Sequence, residues 1–172
     1  MKKFLCVLLA AVLFVTLCGC SFLKDVGDLA ANDVAQDKTF EFDDLSIELT
    51  TDFLRMEFLE DEEWDFVVGS EKITVMGLKE DVEEDLAQEI TVTDYANAFR
   101  SILEVDSTEI IEKEEIPMMQ YTADGDNGKN TINVAFYKGT NCFWTVCFGT
   151  KAGDFDEHYD EICKYAKTVK CK

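Results

Sequence analysis

Cys20 stands where an export signal would be cut, and its thiol is the group in this chain whose position most clearly implies chemistry. Ahead of it lie Lys2 and Lys3 as a basic start, an apolar run from Phe4 to Leu17, and the small residues Cys18 and Gly19. These are the three parts of a targeting segment, which is removed and takes no part in the fold. The run falls short of the roughly 20 apolar residues that a membrane-spanning helix needs. The chain from Cys20 onward is therefore expected to be exported, with the cysteine as its new first residue.

The order Leu17, Cys18, Gly19, Cys20 resembles the lipobox of bacterial lipoproteins, in which an aliphatic residue stands three before the modified cysteine and a small one directly before it. Modification of Cys18 would instead put bulky Leu17 at the position that calls for a small side chain. The resemblance implies a thioether-linked diacylglyceryl group on Cys20. Each buried methylene contributes about 0.8 kcal/mol, so one acyl chain holds marginally whereas two or three palmitate-class chains hold stably. The expectation is a protein on the extracytoplasmic face of the cell membrane, anchored by lipid.

Loss of Cys6 and Cys18 with the signal, and of Cys20 to lipid, leaves four of the seven cysteines: Cys142, Cys147, Cys163 and Cys171. An even number in an exported domain can supply one or two disulfides, with three connectivities open for two bonds; four buried or free thiols are the alternative. Cys142 and Cys147 point to opposite faces of a regular strand and should not pair with each other. Cys163, on the apolar stripe of a helix, can reach whichever of them faces it, and Cys171 is near a mobile end. No CxxC spacing occurs, so neither a thioredoxin-like motif nor a zinc knuckle is indicated.

Other groups carry less. In DGDNGKN, Asp124, Asp126 and Asn130 alternate as in a calcium loop, but Gly128 takes a ligand position, Lys129 the obligatory glycine position and Ala135 the closing glutamate position. A hairpin turn explains the same residues. His158 has no serine or cysteine motif beside it and reads as a surface or partly buried helix residue, so no nucleophilic triad is indicated. The acidic runs Glu60 to Glu63, Glu80 to Asp85 and Glu112 to Glu115 read as solvated loops or as a docking face for a basic partner. Phe53, Phe58, Trp64, Tyr137 and Trp144 read as core, or as the lining of an apolar pocket. No catalytic residue, metal or cofactor is assigned.

The elements that must position these groups begin after a tether. Removal of 19 residues leaves 153, one ordinary domain with a leader. Loss of Lys2 and Lys3 takes the formal charge from −20 to −22, which repels phosphate backbones and anionic headgroups and argues against nucleic acid as a partner. Thirteen Phe and 47% hydrophobic residues exclude a disordered chain. Residues 20–38 read as the modified cysteine and a flexible tether, spanning about 20–25 Å, and residues 39–172 as the globular domain. TFEFDDLSIEL predicts a β-hairpin or two short strands; Trp64 to Val68 and Lys72 to Leu78 predict a hairpin about Gly69 and Ser70. A solvated loop over Lys79 to Glu89 precedes a helix that Thr91 and Asp94 cap, with Tyr95, Phe99, Ile102 and Leu103 on its apolar stripe. Ile110 and Ile111 predict an edge strand, and Met118 to Ala123, Thr131 to Lys138 and Cys142 to Phe148 three more strands. Asp154 with Glu157 predicts a second capping box, opening a helix with Phe155, Tyr159, Ile162, Cys163 and Ala166 buried.

This order predicts an α+β domain with a largely antiparallel sheet of about six to eight strands packed with two main helices. On LSIELTTDF, TVTDYANAF, INVAFYK, CFWTVCF and FDEHYDEICKYAKTV, the chain from Thr39 to Lys172 resembles the PsbP and Mog1-like superfamily of α/β/α sandwiches. That superfamily includes an extrinsic photosystem subunit, a binder of a small GTPase and bacterial lipoproteins of unassigned activity. The resemblance implies a non-enzymatic binding or assembly module with an envelope protein as partner. The alternative expectation is an extracytoplasmic carrier or sensor of a small molecule or cation.

Overall fold

The structure, a computed structural model, describes residues 36–56, 64–103, 107–113, 115–125 and 128–172. Leu17 to Cys20, the tether before Gln36, Phe58 and Glu60 to Glu63 lie outside them. The described residues form two antiparallel sheets. The smaller has the order β1–β2–β10 and comprises β1 (Asp37–Phe42), β2 (Leu45–Thr50) and β10 (Lys170–Cys171). The larger has the order β3–β4–β5–β9–β8–β7–β6: β3 (Leu54–Arg55), β4 (Phe66–Gly69), β5 (Thr74–Asp81), β6 (Ile111–Lys113), β7 (Ile116–Gly125), β8 (Gly128–Lys138) and β9 (Cys142–Lys151). Among the described residues the helices are α1 (Glu84–Glu89), α2 (Val92–Ile102) and α3 (Phe155–Thr168). The α+β class, the antiparallel pairing and the two main helices are as the sequence predicts. The segregation of β1 and β2 into a second sheet is not legible in their alternation, which specifies one buried face but not what lies against it.

Strand parity builds the layers. In β9, Cys142, Trp144, Val146 and Phe148 enter one core with Phe40, Leu45, Ile47 and Leu49 of the small sheet and Ile162, Tyr165 and Ala166 of α3. Cys147 enters the other, with Ile132, Val134 and Phe136 of β8 and Ala96 and Phe99 of α2. The large sheet is thus covered by α2 on one side and by α3 with the small sheet on the other. Its hydrophobic faces leave water on both sides, the main driving force for this arrangement. Gly77 serves the packing directly. It lies opposite Phe66, and a Cβ there would stand 2.0 Å from that ring; the ring lies across the glycine and stacks 3.9 Å from Phe42. No helix among the described residues is long and apolar enough to cross a membrane.

Local signals held where backbone and side chain agreed. Thr91 accepts from Asp94 N, and the Asp94 carboxylate accepts from Thr91 N, a reciprocal capping box. The second predicted box does not form. Asp154 has helical φ/ψ of −104° and −4° and no side-chain cap bond, because a capping side chain needs the extended backbone that Thr91 has. The predicted loop after Leu78 is also corrected: β5 continues to Asp81 and leads into α1. Cys171, expected near a mobile end, is paired opposite Leu45. In DGDNGKN, Asp124 pairs with Lys129 and Gly125 with Gly128, so the segment is a hairpin whose φ of +120° at Gly128 suits glycine.

Candidate functional site

Polar chemistry concentrates where the β1–β2 turn meets the ends of β5 and β9. Phe42 pairs with Leu45, so Asp43 and Asp44 make the turn, with Asp43 at a φ of +50° that aspartate tolerates better than most residues. Lys79 lies opposite Trp144 across the β5–β9 ladder. Its ammonium stands 2.9 Å from Asp43 Oδ2, 2.8 Å from Asp44 Oδ2 and 3.4 Å from Asp81 Oδ1. Trp144 Nε1 donates to Asp44 Oδ1 at 3.2 Å, and the Cys142 thiol lies 3.9 Å from Asp44 Oδ2. The Asp44 carbonyl accepts from Lys172 N at 2.9 Å. Asp65 Oδ2 accepts from Lys79 N at 2.6 Å. Two sheets and the C-terminal residue therefore converge on Asp44.

The electrostatics make this centre a clamp. Hydrogen bonds to Asp44 and Asp43 hold Lys79 well above the ordinary lysine range, so it is neither nucleophile nor base at neutral pH. The Lys79 hydrogen bond draws Asp44 below its ordinary value. Burial, in contrast, raises Asp65. Glu80, which faces Tyr95 on the other side of the sheet, is likewise raised by burial. A lowered carboxylate stabilises the fold above its unfolded value and loses that contribution as pH falls through its folded value; a raised one contributes at low pH and loses it as pH rises. On acidification, protonation of Glu80 and Asp65 is thus favourable first, and loss of Asp44 ionisation below about pH 3.8 is then unfavourable. Asp44→Asn is expected to cost about 1–2 kcal/mol at pH 7 and to flatten the stability profile below that pH. Thermal melts from pH 2.5 to 7 test it; profiles that run parallel throughout would sink the role given to Asp44.

Two other polar networks lie apart from this one. His158, predicted at the surface or partly buried, is 6% exposed. Its Nδ1 lies 3.5 Å from Glu161 Oε2, and Tyr165 donates its hydroxyl to Glu161 Oε1 at 2.7 Å while lying 3.0 Å from Thr50 Oγ1. These α3 residues share one helix face, a spacing that the apolar stripe obscured. On the opposite side of the large sheet Tyr95 stacks 4.5 Å from Phe143, and its hydroxyl lies 3.2 Å from Thr145 Oγ1. Burial holds the Tyr95 and Tyr165 hydroxyls above the ordinary tyrosine range.

The aromatic residues that were candidates for a pocket divide between layers. Phe53 and Trp144 belong to the α3-side core and Tyr137 packs against it, whereas Trp64 packs on the α2 side. The Tyr137 hydroxyl donates to Ala166 O at 2.8 Å. A cleft of about 230 Å³ is lined by residues that include Glu115, Tyr137, Lys138 and Cys171, small beside the roughly 300–1,000 Å³ of typical ligand pockets. Of the acidic runs, Glu80 and Asp81 end β5, Glu84 and Asp85 open α1, and Glu112 lies in edge strand β6, accepting from Thr93 Oγ1 at 3.0 Å. Cys142, Cys147, Cys163 and Cys171 are all present as thiols. Asp44 and Lys79 were missed from sequence; the signal available was the two-residue period that continues from Val75 through Gly77 and Lys79 to Asp81.

No family model matches this chain, and no curated protein matches it. Solved structures do. The solution structure of cyanobacterial PsbP (CyanoP) from Synechocystis matches at 12% identity and a TM-score of 0.51, over 85% of this chain and 100% of the other. A crystal structure of a Bacteroides thetaiotaomicron protein matches at 11% identity and a TM-score of 0.54, over 80% of this chain and 49% of that one. The chain therefore has a PsbP-like α+β fold. At these identities the likeness is one of fold alone.

Proposed function

We propose that this protein is a bacterial envelope lipoprotein, anchored through lipid on Cys20, whose domain acts as a non-enzymatic binding or assembly module. The observation that carries the reading is how the polar side chains are used. Lys79 is neutralised by Asp43, Asp44 and Asp81, Glu161 is engaged by His158 and Tyr165, and Phe53, Trp64, Tyr137 and Trp144 are spent on packing. Exposed carboxylates such as Glu84 and Asp85 remain to meet a partner. With a mature charge of −22 they suit a basic protein surface and keep the domain off anionic headgroups.

The cleft beside Tyr137 and Lys138 favours a second reading, a carrier of a small molecule. Pull-down of the lipidated full chain from native membranes in detergent separates the two. The assembly reading expects one envelope protein enriched at low salt and released as ionic strength rises. Co-purification of a small molecule or metal with no enriched protein would overturn it.

A further inference from the structure

We propose that Cys142 and Cys171 form a reversible disulfide that latches the C-terminal strand to the start of β9. Cys171 lies opposite Leu45 in the antiparallel β10–β2 pair, and such partners direct their side chains to the same face. Leu45 and Cys142 belong to one core, against which Cys171 packs. The backbone brings the two ends together. The Asp44 carbonyl accepts from Lys172 N at 2.9 Å, while the Asp44 carboxylate lies 3.9 Å from the Cys142 thiol. Thr140 N donates to Lys172 O at 3.0 Å. At Gly139 a Cβ would stand 2.6 Å from Cys142 Sγ and 3.0 Å from Lys172 O, so the thiol and the C-terminal residue flank one point.

Cys147 faces the α2 core on the opposite side of the sheet. Cys163 lies on α3, and its thiol is the first of the groups that raise Lys113 above the ordinary lysine range; the Lys113 ammonium stands 4.3 Å above the Tyr159 ring. The groups that raise the Cys171 thiol are consistent with this arrangement: burial first, then Cys142 and Asp44.

The chemistry is thiol–disulfide exchange with a small disulfide such as oxidised glutathione. Burial pushes the Cys171 thiol up to about 12 and raises Cys142 as well, so the closed form holds little thiolate and reacts slowly. Fraying of the two-residue β10 exposes Cys171. Its thiolate attacks one sulfur of the oxidant, forming a mixed disulfide and expelling one thiolate. The Cys142 thiolate then attacks Cys171 Sγ, forming the internal S–S bond and expelling the second. Two protein thiols are oxidised by two electrons, one small disulfide is reduced to two thiols, and the two protons pass to the expelled thiolates. The product ties the small sheet's edge to the large sheet beside Asp44.

The processed, lipidated full chain in detergent, equilibrated in glutathione buffers from fully reduced to fully oxidised, provides the test. Alkylation, digestion and peptide mass mapping should show Cys142 joined to Cys171, with Cys147 and Cys163 alkylated only after denaturation. The oxidised form should melt higher by on the order of 10 °C. Cys171→Ser should remove both the link and the melting difference, whereas Cys163→Ser should leave both in place. Alkylation of Cys142 and Cys171 in the fully oxidised buffer, a link to Cys147 or Cys163, or equal melting of the two forms would overturn the proposal.

Discussion

Trp144→Ala is expected to destabilise the domain by about 3–5 kcal/mol, a large share of the roughly 5–15 kcal/mol that holds a domain of this size together. Trp144 is fully buried and stands first by volume among the fully buried side chains. It lies on β9, between β5 and β8, opposite Lys79 on one neighbour and Tyr137 on the other. Its ring centre is 6.0 Å from that of Phe66, and its indole N–H donates to Asp44. Truncation removes apolar area from the α3-side core, opens a cavity that the paired strands cannot close, and takes a donor from Asp44. Trp144→Phe retains most of the packing and loses only that bond, so its cost should fall to about 1–2 kcal/mol. Ile111→Ala, on an edge strand and 50% exposed, should change stability by less than about 0.5 kcal/mol. Urea unfolding followed by circular dichroism measures all three; a Trp144→Ala cost below about 1 kcal/mol would show that the centre of the sheet relaxes far more than its pairing implies.

Cys20→Ala is expected to move the protein from the membrane fraction to the soluble fraction, or to leave an unprocessed precursor. The expectation rests on the lipoprotein reading. Without the thiol no thioether can form, and the loss of two or three acyl chains, each contributing about 0.8 kcal/mol per buried methylene, removes the anchor. Adsorption does not replace it, because a charge of −22 opposes binding to anionic lipid. The domain should nevertheless fold with unchanged stability, because its cores are built from Phe40 onward. Fractionation of cells with and without the substitution, together with the mass of the mature N-terminal peptide, decides the matter. Normal anchoring of the Cys20→Ala protein would rule the reading out.

Strands β8 and β9, the β4–β5 hairpin and the α2 cap were legible because each depends on residues within a few positions. Parity placed Cys142 and Cys147 apart, and the two cores confirm it, dividing Ile132, Val134 and Phe136 of β8 from Ala135 in the same way. Thr91 and Asp94 needed only each other. The second capping box failed at Asp154 because its backbone conformation is set by the exit from β9, beyond what residue types at that spacing specify. Lys79 was misread for a similar reason. Next to Glu80 and Asp81 it looks like one charge in a solvated run, and only its place opposite Trp144 turns it toward Asp43 and Asp44.

The sequence by itself determined the α+β class, the main strands and helices, the acidic charge and the Leu17 to Cys20 motif, since periodicity, composition and short spacings are local properties. Tertiary structure alone decided that β1 and β2 leave the main sheet and that Lys170 and Cys171 pair with β2. It also decided that Asp44 joins two sheets to the C-terminal residue and that Cys142 and Cys171 approach the same point. Most of those contacts link residues far apart in the chain, and their energies depend on how whole faces pack, which no local pattern encodes.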